Sequence, residues 1–131
     1  MRTTIISAIM VGSGGFIGAI LRYVMSGLVQ SASPMSSFPW GTLAVNLLGC
    51  LLIGVVAGLV DARQLFTPEL RLFMLIGVLG GFTTFSTFGY EAFAMLKDAE
   101  YFRAAAYVSV QAVVGIGLVW AGYVISVSRT S

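Results

Sequence analysis

Hydrogen-bonding and ionisable side chains are scarce in this sequence, and the informative ones lie inside long apolar stretches. The chain has 131 residues, of which 58% are hydrophobic and 9% are charged. A polar group in hydrocarbon is costly unless it has a partner or lines a water-filled path, so each one is a candidate for binding a ligand. These candidates are Arg22, Ser26, Thr42, Asn46, Thr83, Thr84, Ser86, Thr87, Glu91, Tyr107, Ser109 and Gln111.

Residues 80–88 (GGFTTFSTF) form the densest group of such side chains. Two adjacent glycines and a run of hydroxyl residues weaken a helix at this point. The stretch from Pro68 to Leu96 would be about 43 Å long as a straight helix, whereas a hydrocarbon core is roughly 30 Å thick. Tilt would absorb part of the excess, and a break near residues 80–84 absorbs it better. We therefore predict a helix that is broken at mid-membrane, where the freed backbone carbonyls become ligands for a cation.

Two phenylalanines and a polar stripe follow the predicted break. Phe85 and Phe88 are three residues apart and share one helix face, and Thr84, Thr87 and Glu91 form an adjacent stripe. An aromatic pair is often plain packing. A ring edge also carries positive charge density, so the pair can hold a small anion weakly beside hydroxyl and amide donors. The pattern favours a path for a readily released anion.

Three further polar residues have two interpretations each. Asn46 shares a helix face with Thr42, four residues earlier, and either bonds a neighbouring helix or points an amide donor at an ion path. Gln111 allows the same two roles. Arg22 either anchors the first helix, with its charge reaching the interface, or serves a water-filled vestibule.

Four apolar stretches must position these residues, at about residues 4–29, 40–60, 70–96 and 104–127. Each is long enough to cross a bilayer as a helix, which needs about 20 residues. The sequence TPE at residues 67–69 is typical of a helix start, with a hydroxyl N-cap, proline and an acid. The sequence thus predicts an all-α membrane protein: one four-helix transmembrane domain over residues 1–131, with the first helix retained.

Small residues spaced four apart predict a tightly packed bundle. Such pairs occur at Gly14 and Gly18, at Gly54 and Gly58, and between residues 77 and 81. They let helix backbones approach closely in lipid. Four tightly packed helices leave little room for a pore, so a transport path would need a second subunit.

The basic residues give only a weak orientation signal. Four spans place both termini on one side, with four arginines there and two basic residues on the opposite side. These are Arg2, Arg63, Arg71 and Arg129 against Lys97 and Arg103. By the positive-inside rule, this bias favours cytoplasmic termini. Insertion in both orientations, giving an antiparallel assembly, stays open as the alternative.

Composition argues against several other classes of protein. The chain has no histidine and a single cysteine, Cys50, which argues against a disulfide within one chain and a Cys/His metal cluster. A scattered net charge of +2 does not suggest nucleic-acid binding. No nucleophile–base pair is visible, so we do not expect an enzyme.

The sequence resembles the Fluc (CrcB) fluoride channels of microbial membranes. The resemblance runs along most of the chain and rests on residues 15–23 (GFIGAILRY), on residues 41–49 (GTLAVNLLG), and above all on residues 80–88 followed by Glu91. In the fourth span the family tends to show a tyrosine followed four residues later by a serine. Here Tyr107 is followed by Gln111, whose amide can still donate to fluoride.

The resemblance implies an antiparallel, dual-topology homodimer in the bacterial inner membrane, with two fluoride pores. A central sodium ion would be held by the backbone carbonyls of Gly80 and Thr83 from both subunits. The near balance of basic residues then becomes an expected feature, because each subunit must insert both ways. The implied fluoride pathway comprises Thr42, Asn46, Phe85, Ser86, Thr87, Phe88, Glu91, Tyr107 and Gln111, with Arg22 as a vestibule or structural residue.

On this basis we expect a fluoride-selective channel that passively exports fluoride and relieves its toxicity. A small multidrug transporter is the main alternative, since it also has four helices and forms dimers. That chemistry needs a membrane-buried carboxylate in the first helix, where this chain has no Asp or Glu. A subunit that transports nothing is a third possibility, but it leaves the weak, hydroxyl-rich third span without a role.

Overall fold

The computed structural model describes residues 1–35, 37–64 and 66–129. Four helices in this part of the chain are long and apolar enough to cross a membrane. They are α1 (Arg2–Ala32), α2 (Trp40–Arg63), a third span (Pro68–Lys97) and a last helix (Tyr101–Ser128). Each of the four apolar stretches read from the sequence lies within one of these helices.

The third span consists of two helical pieces, α3 (residues 68–82) and α4 (Phe85–Lys97). The α3 piece starts as predicted, because the Thr67 side chain accepts a hydrogen bond from the Leu70 N–H at 3.3 Å. Its middle part, Leu72–Leu79, is π-helical. Between the pieces, Thr83 (φ −89°, ψ 160°) and Thr84 (φ −148°, ψ 119°) have extended backbone.

The last helix, α5 (Tyr101–Ser128), also contains a π-helical turn, at Val110–Val114. A tight turn links it to α4, with Ala99 in the left-handed region at φ 59°. The Gln30 side chain forms two hydrogen bonds with the segment that leads into α2. Its Nε2 donates to the Phe38 carbonyl at 3.0 Å, and its Oε1 accepts from the Gly41 N–H at 3.1 Å.

Glycines bring the helix backbones into direct contact, α1 against α3 and α2 against α5. A Cβ atom on Gly77 would lie 2.9 Å from the Cα of Gly14, and one on Gly81 would lie 2.7 Å from the Gly15 carbonyl oxygen. A Cβ on Gly54 would likewise meet the backbone of Val119 at 2.9 Å. The glycine pairs read from the sequence are therefore sites of close backbone approach, as their spacing predicts.

Candidate functional site

The extended residues between α3 and α4 are held by one side chain of α2. The Thr84 N–H donates to Asn46 Oδ1 at 2.8 Å, and Asn46 Nδ2 donates back to the Thr84 carbonyl at 3.1 Å. The amide of Asn46 thus pairs with the backbone much as a neighbouring strand would. This pairing satisfies peptide groups that a continuous helix would have bonded internally.

Asn46 also connects α2 to α5. Its Nδ2 donates a second hydrogen bond, to Gln111 Oε1, at 2.8 Å. Gln111 lies within the π-helical turn of α5, and such turns occur frequently at functional sites. Three spans therefore meet at Asn46, which joins Thr84 on the third span to Gln111 on the fourth.

Glu91 forms a second junction of the same three spans. Its Oε1 accepts from Thr42 Oγ1 at 2.8 Å, and its Oε2 accepts from the Tyr107 hydroxyl at 2.5 Å. Thr42 and Tyr107 are both buried, whereas Glu91 is half-buried. A carboxylate with a strong donor on each oxygen is well stabilised in a weakly polar environment. Glu91 therefore ties α4 to both α2 and α5.

Aromatic rings lie beside these polar groups. The rings of Phe85 and Phe88 are 5.6 Å apart between centroids and tilted by 54°. The ring centroids of Phe88 and Tyr107 are 5.4 Å apart. The ring of Tyr107 packs edge-on against that of Phe38, with 5.6 Å between centroids. The two phenylalanines are thus neighbours, as their spacing predicts, and Phe88 connects the pair to the Glu91 junction.

The side chains at the start of α4 differ in their exposure. The Thr84 hydroxyl accepts from the Thr87 N–H at 3.2 Å and lies 3.0 Å from the Thr87 hydroxyl. Thr84 is buried, but Ser86 and Thr87 are exposed and 84% of the Phe85 surface is accessible. A single chain therefore gathers Thr42, Asn46, Phe88, Glu91, Tyr107 and Gln111, and it leaves Phe85, Ser86 and Thr87 on its outer face.

Arg22 lies apart from both junctions. It lines a cavity of about 250 Å³ together with Thr42, Thr84 and Thr87. This cavity approaches the polar residues from the side of α1. A guanidinium group is a fixed positive charge, so an anion entering this cavity would be attracted there. The geometry suits either a vestibule or an anchoring role for Arg22.

The two carbonyls expected to hold a cation have lost their helical donors. In a continuous helix, the Gly80 carbonyl would accept from the Thr84 N–H, and the Thr83 carbonyl from the Thr87 N–H. Here those two N–H groups donate to Asn46 Oδ1 and Thr84 Oγ1. Gly80 is exposed and Thr83 is half-buried. Both residues are therefore accessible at the surface of the chain, and their carbonyls lack the N–H donors of a continuous helix.

Sequence reasoning missed the residues around a larger cavity next to Glu91. This cavity, of about 420 Å³, is lined by acidic groups and by the loop before α2, including Phe38, Asp98 and Glu100. Arg103 contacts three residues of this lining: it bonds Glu100 at 2.8 Å and Ser37 at 3.1 Å, and its guanidinium lies 5.7 Å from the Phe38 ring centre. These residues are loop and helix-end positions in the sequence, and nothing in their spacing indicates the contact.

Comparison with known proteins agrees with the sequence resemblance. Residues 9–123 match a family model described as CrcB-like protein, Camphor Resistance (CrcB). A protein of Nitratidesulfovibrio vulgaris strain DP4, named fluoride-specific ion channel FluC, is 47% identical over 114 residues, covering 87% of this chain and 91% of that protein. A Leptospira interrogans protein of the same name is 44% identical over 116 residues, covering 88% of this chain and 91% of its own. A third protein of this name, from Geobacter sulfurreducens, is 47% identical over 110 residues, covering 82% of this chain and 86% of that protein.

Proposed function

The chain belongs to the CrcB-like family, and from this premise we propose that it is a fluoride-specific ion channel of the membrane. It is a multi-pass membrane protein and a channel rather than an enzyme. Fluoride passes down its own gradient, which relieves fluoride toxicity when the anion accumulates inside the cell. The observation that carries the proposal is the meeting of an aromatic pair with hydroxyl, amide and phenol groups between three membrane-spanning helices.

The path for the anion follows Phe85 and Phe88 towards the residues around Glu91. Ring edges attract an anion weakly, which suits an ion that must leave as readily as it enters. Thr42, Tyr107 and Gln111 supply hydroxyl and amide groups beside the rings. Selectivity against chloride comes from a narrow path whose donors replace the hydration shell only for a small anion.

We assign a second copy of the chain to the outer face of α4. Phe85 alone would be compatible with lipid, but Ser86 and Thr87 beside it are polar and exposed. Lipid offers these hydroxyl groups no further hydrogen-bond partner, whereas a second subunit can offer one, and it would also enclose the path. The weak charge bias of the loops supports an antiparallel homodimer, since each subunit could then insert in either orientation. Two subunits give two pores.

A sodium ion at the centre of this dimer is part of the proposal. The third helix would be broken at mid-membrane, with the extended residues placed against the partner subunit. The carbonyls of Gly80 and Thr83 lack their helical donors, and two subunits would supply both pairs. When bound, the cation contributes positive charge that offsets the carbonyl dipoles at the interface.

Arg22 serves the vestibule in this proposal. It shares its cavity with Thr42 and Thr87, which lie on or next to the path. A positive charge there raises the local concentration of fluoride and draws it towards the narrow section. Arg22 itself stays outside that section, because a fully dehydrated ion pair would release fluoride too slowly.

Fluoride efflux from liposomes containing the purified protein tests the function. Vesicles loaded with potassium fluoride should empty rapidly once a potassium ionophore removes the electrical barrier, and vesicles loaded with potassium chloride should not. Chloride efflux at a comparable rate, or fluoride efflux equal to that of protein-free vesicles, would contradict the proposal. A proton gradient applied without ionophore tests the multidrug-transporter alternative. Transport by such a protein would need proton exchange and would respond to this gradient.

The assembly is tested separately. Phe93 is 61% exposed on α4, on the chain's outer surface, and Phe102 is 86% exposed at the start of α5. Single cysteines at these positions, in a Cys50→Ser background, allow crosslinking in the membrane. A homodimer that covers α4 should protect position 93 from a thiol reagent and leave position 102 reactive. Equal labelling at both positions would argue against the assigned interface.

A further inference from the structure

Two arginines lie together where α2 and α5 end. Arg63 is the last residue of α2, and Arg129 directly follows α5. The two helices stay in contact up to this point, because a Cβ atom on Gly58 would lie 2.8 Å from the Tyr123 carbonyl oxygen and from Ser126 Cβ. Since α2 and α5 are separated by one span, they cross the membrane in the same direction. Both arginines therefore reach the same membrane interface.

A groove between these helix ends combines basic and apolar residues. Its volume is about 270 Å³. It is lined by Val55, Leu59, Arg63, Ile125, Ser126 and Arg129. On each helix the arginine follows an apolar lining residue by four positions, so it lies about one turn further along the same face. The groove therefore has two arginines at its interface end and aliphatic side chains towards the bilayer core.

The charges of these arginines are not neutralised by an acid of the chain. Among the residues that the structure describes, Arg63 and Arg129 form no ion pair and no side-chain hydrogen bond, whereas Arg103 on the opposite side is paired with an acid. Asp61, the acid nearest to Arg63 along the chain, accepts from the Tyr123 hydroxyl at 3.1 Å and does not line the groove. The partial negative charge at each helix end offsets only about half of one arginine's charge. The groove therefore keeps a net positive charge.

We propose that this groove binds a phospholipid of net negative charge, with the lipid phosphate between Arg63 and Arg129 and an acyl chain along Leu59 and Ile125. A guanidinium group can donate two parallel hydrogen bonds to phosphate oxygens, so two arginines can bond one phosphate from both sides. Basic pockets between membrane-spanning helices bind anionic headgroups in this way. None of these residues belongs to the proposed ion path, so the site does not depend on which ion the protein conducts.

Quenching of tryptophan fluorescence by brominated lipids tests this site. The chain has two tryptophans, Trp40 and Trp120, which are replaced by phenylalanine, and Ile125→Trp then places a single reporter in the groove. The protein is reconstituted in phosphatidylcholine with a minor fraction of either phosphatidylglycerol or phosphatidylcholine brominated on its acyl chains. We expect phosphatidylglycerol to quench the reporter roughly 5-fold more strongly or better, because a single basic residue near anionic headgroups already contributes about that factor.

Charge substitutions identify the residues responsible. Arg63→Gln combined with Arg129→Gln should abolish the preference of the reporter for phosphatidylglycerol. Arg2→Gln combined with Arg71→Gln is the matched control: it removes two positive charges from the same side of the membrane, outside the groove lining, and should retain the preference. Equal quenching by the two lipids before any arginine is changed would overturn the site. A preference that survives the first pair of substitutions, or is lost equally in the control, would overturn it as well.

Inorganic phosphate distinguishes a lipid site from a site for a free anion. At constant ionic strength, millimolar phosphate should leave the quenching by phosphatidylglycerol unchanged, since it lacks the acyl chain that fills the apolar part of the groove. Displacement of the lipid by phosphate but not by gluconate would contradict the lipid assignment.

Native mass spectrometry of the protein without any substitution gives an independent measurement. We expect each chain to retain one phosphatidylglycerol after transfer to a delipidating detergent, and to retain phosphatidylcholine less well. Equal retention of the two lipids would contradict the site.

Discussion

The two pieces of the third span are held in place in opposite ways. In α3, glycines allow the backbone to lie directly against α1, and the nearest neighbours of Gly14 and Gly77 are backbone atoms. In α4, polar side chains make the connections: Thr84 bonds Asn46, and Glu91 bonds Thr42 and Tyr107. Backbone contact depends on shape alone, whereas hydrogen bonds in a weakly polar environment depend on every partner being present.

This difference assigns separate tasks to the two pieces. The glycine contact gives a rigid base that has no groups to offer an ion. The polar connections of α4 place hydroxyl and amide groups beside an aromatic pair, along the path proposed for fluoride. Changes in α3 should therefore act on the amount of folded protein, and changes in or around α4 should act on conduction.

Asn46→Asp should have the largest effect, because it disrupts the α4 connections and adds negative charge to the path. The aspartate can still accept from the Thr84 N–H, but its second oxygen faces the Thr84 carbonyl and Gln111 Oε1. Leaving such groups unsatisfied costs about 1–3 kcal/mol each. We expect fluoride flux from liposomes to fall roughly 100-fold or more, with the elution position on gel filtration unchanged. Normal conduction would contradict the network described here.

Phe88→Ile should have the next largest effect. The substitution keeps an apolar side chain but removes the ring edges that face Phe85 and Tyr107. Losing an aromatic contact of this kind costs about 0.5–1.5 kcal/mol beyond the area involved, so a flux reduction of roughly 10-fold is expected. Phe102→Ile, on an exposed side chain at the start of α5 and outside the assigned interface, is the matched control. Equal flux in the two variants would show that Phe88 only fills space.

Gly14→Ala tests the glycine contact between α1 and α3. The added Cβ would lie 3.0 Å from the Gly77 Cα and closer still to the Phe73 carbonyl, so the α1–α3 contact must open. Overpacking of this kind costs about 1–3 kcal/mol. Thermal unfolding followed by gel filtration should show a lower midpoint, while protein that does fold keeps its preference for fluoride over chloride. Gly12→Ala, which meets nothing within 4 Å, should be neutral or slightly stabilising.

Thr67→Ala should have the smallest effect. It removes the side-chain cap at the start of α3, which is worth about 1 kcal/mol, at the end of the span far from the polar connections. A small decrease in thermal midpoint with unchanged flux per amount of folded protein is expected. A loss of conduction without a loss of stability would mean that the two pieces of the third span are coupled more strongly than their contacts indicate.

The sequence predicts the helices better than their connections. Hydropathy and length locate four spans, and the residues 67–69 mark where α3 begins. The polar residues inside the spans are also recognisable, because each is costly in lipid without a partner. Which of them meet depends on the rotation and tilt of each helix, and these are set by contacts between residues far apart in the chain.

Asn46 illustrates this limit. Its two expected roles were a helix–helix hydrogen bond and a donor on the ion path, and the spacing could not decide between them. The structure gives it a backbone partner on the third span, and no periodic pattern encodes that. The π-helical turn around Gln111 is similarly invisible in the sequence, because apolar residues such as Val110 and Val114 fit an α-helix equally well.

The two attachments of α4 also limit how that helix can turn about its own axis. Thr84, immediately before the helix, is bonded through its backbone to Asn46, and the Glu91 side chain within the helix is bonded to Thr42. Both attachments are therefore made to α2. A helix fixed at two points to the same neighbour resists torsion, so Phe88, lying between the two points, keeps a constant angular position relative to Tyr107.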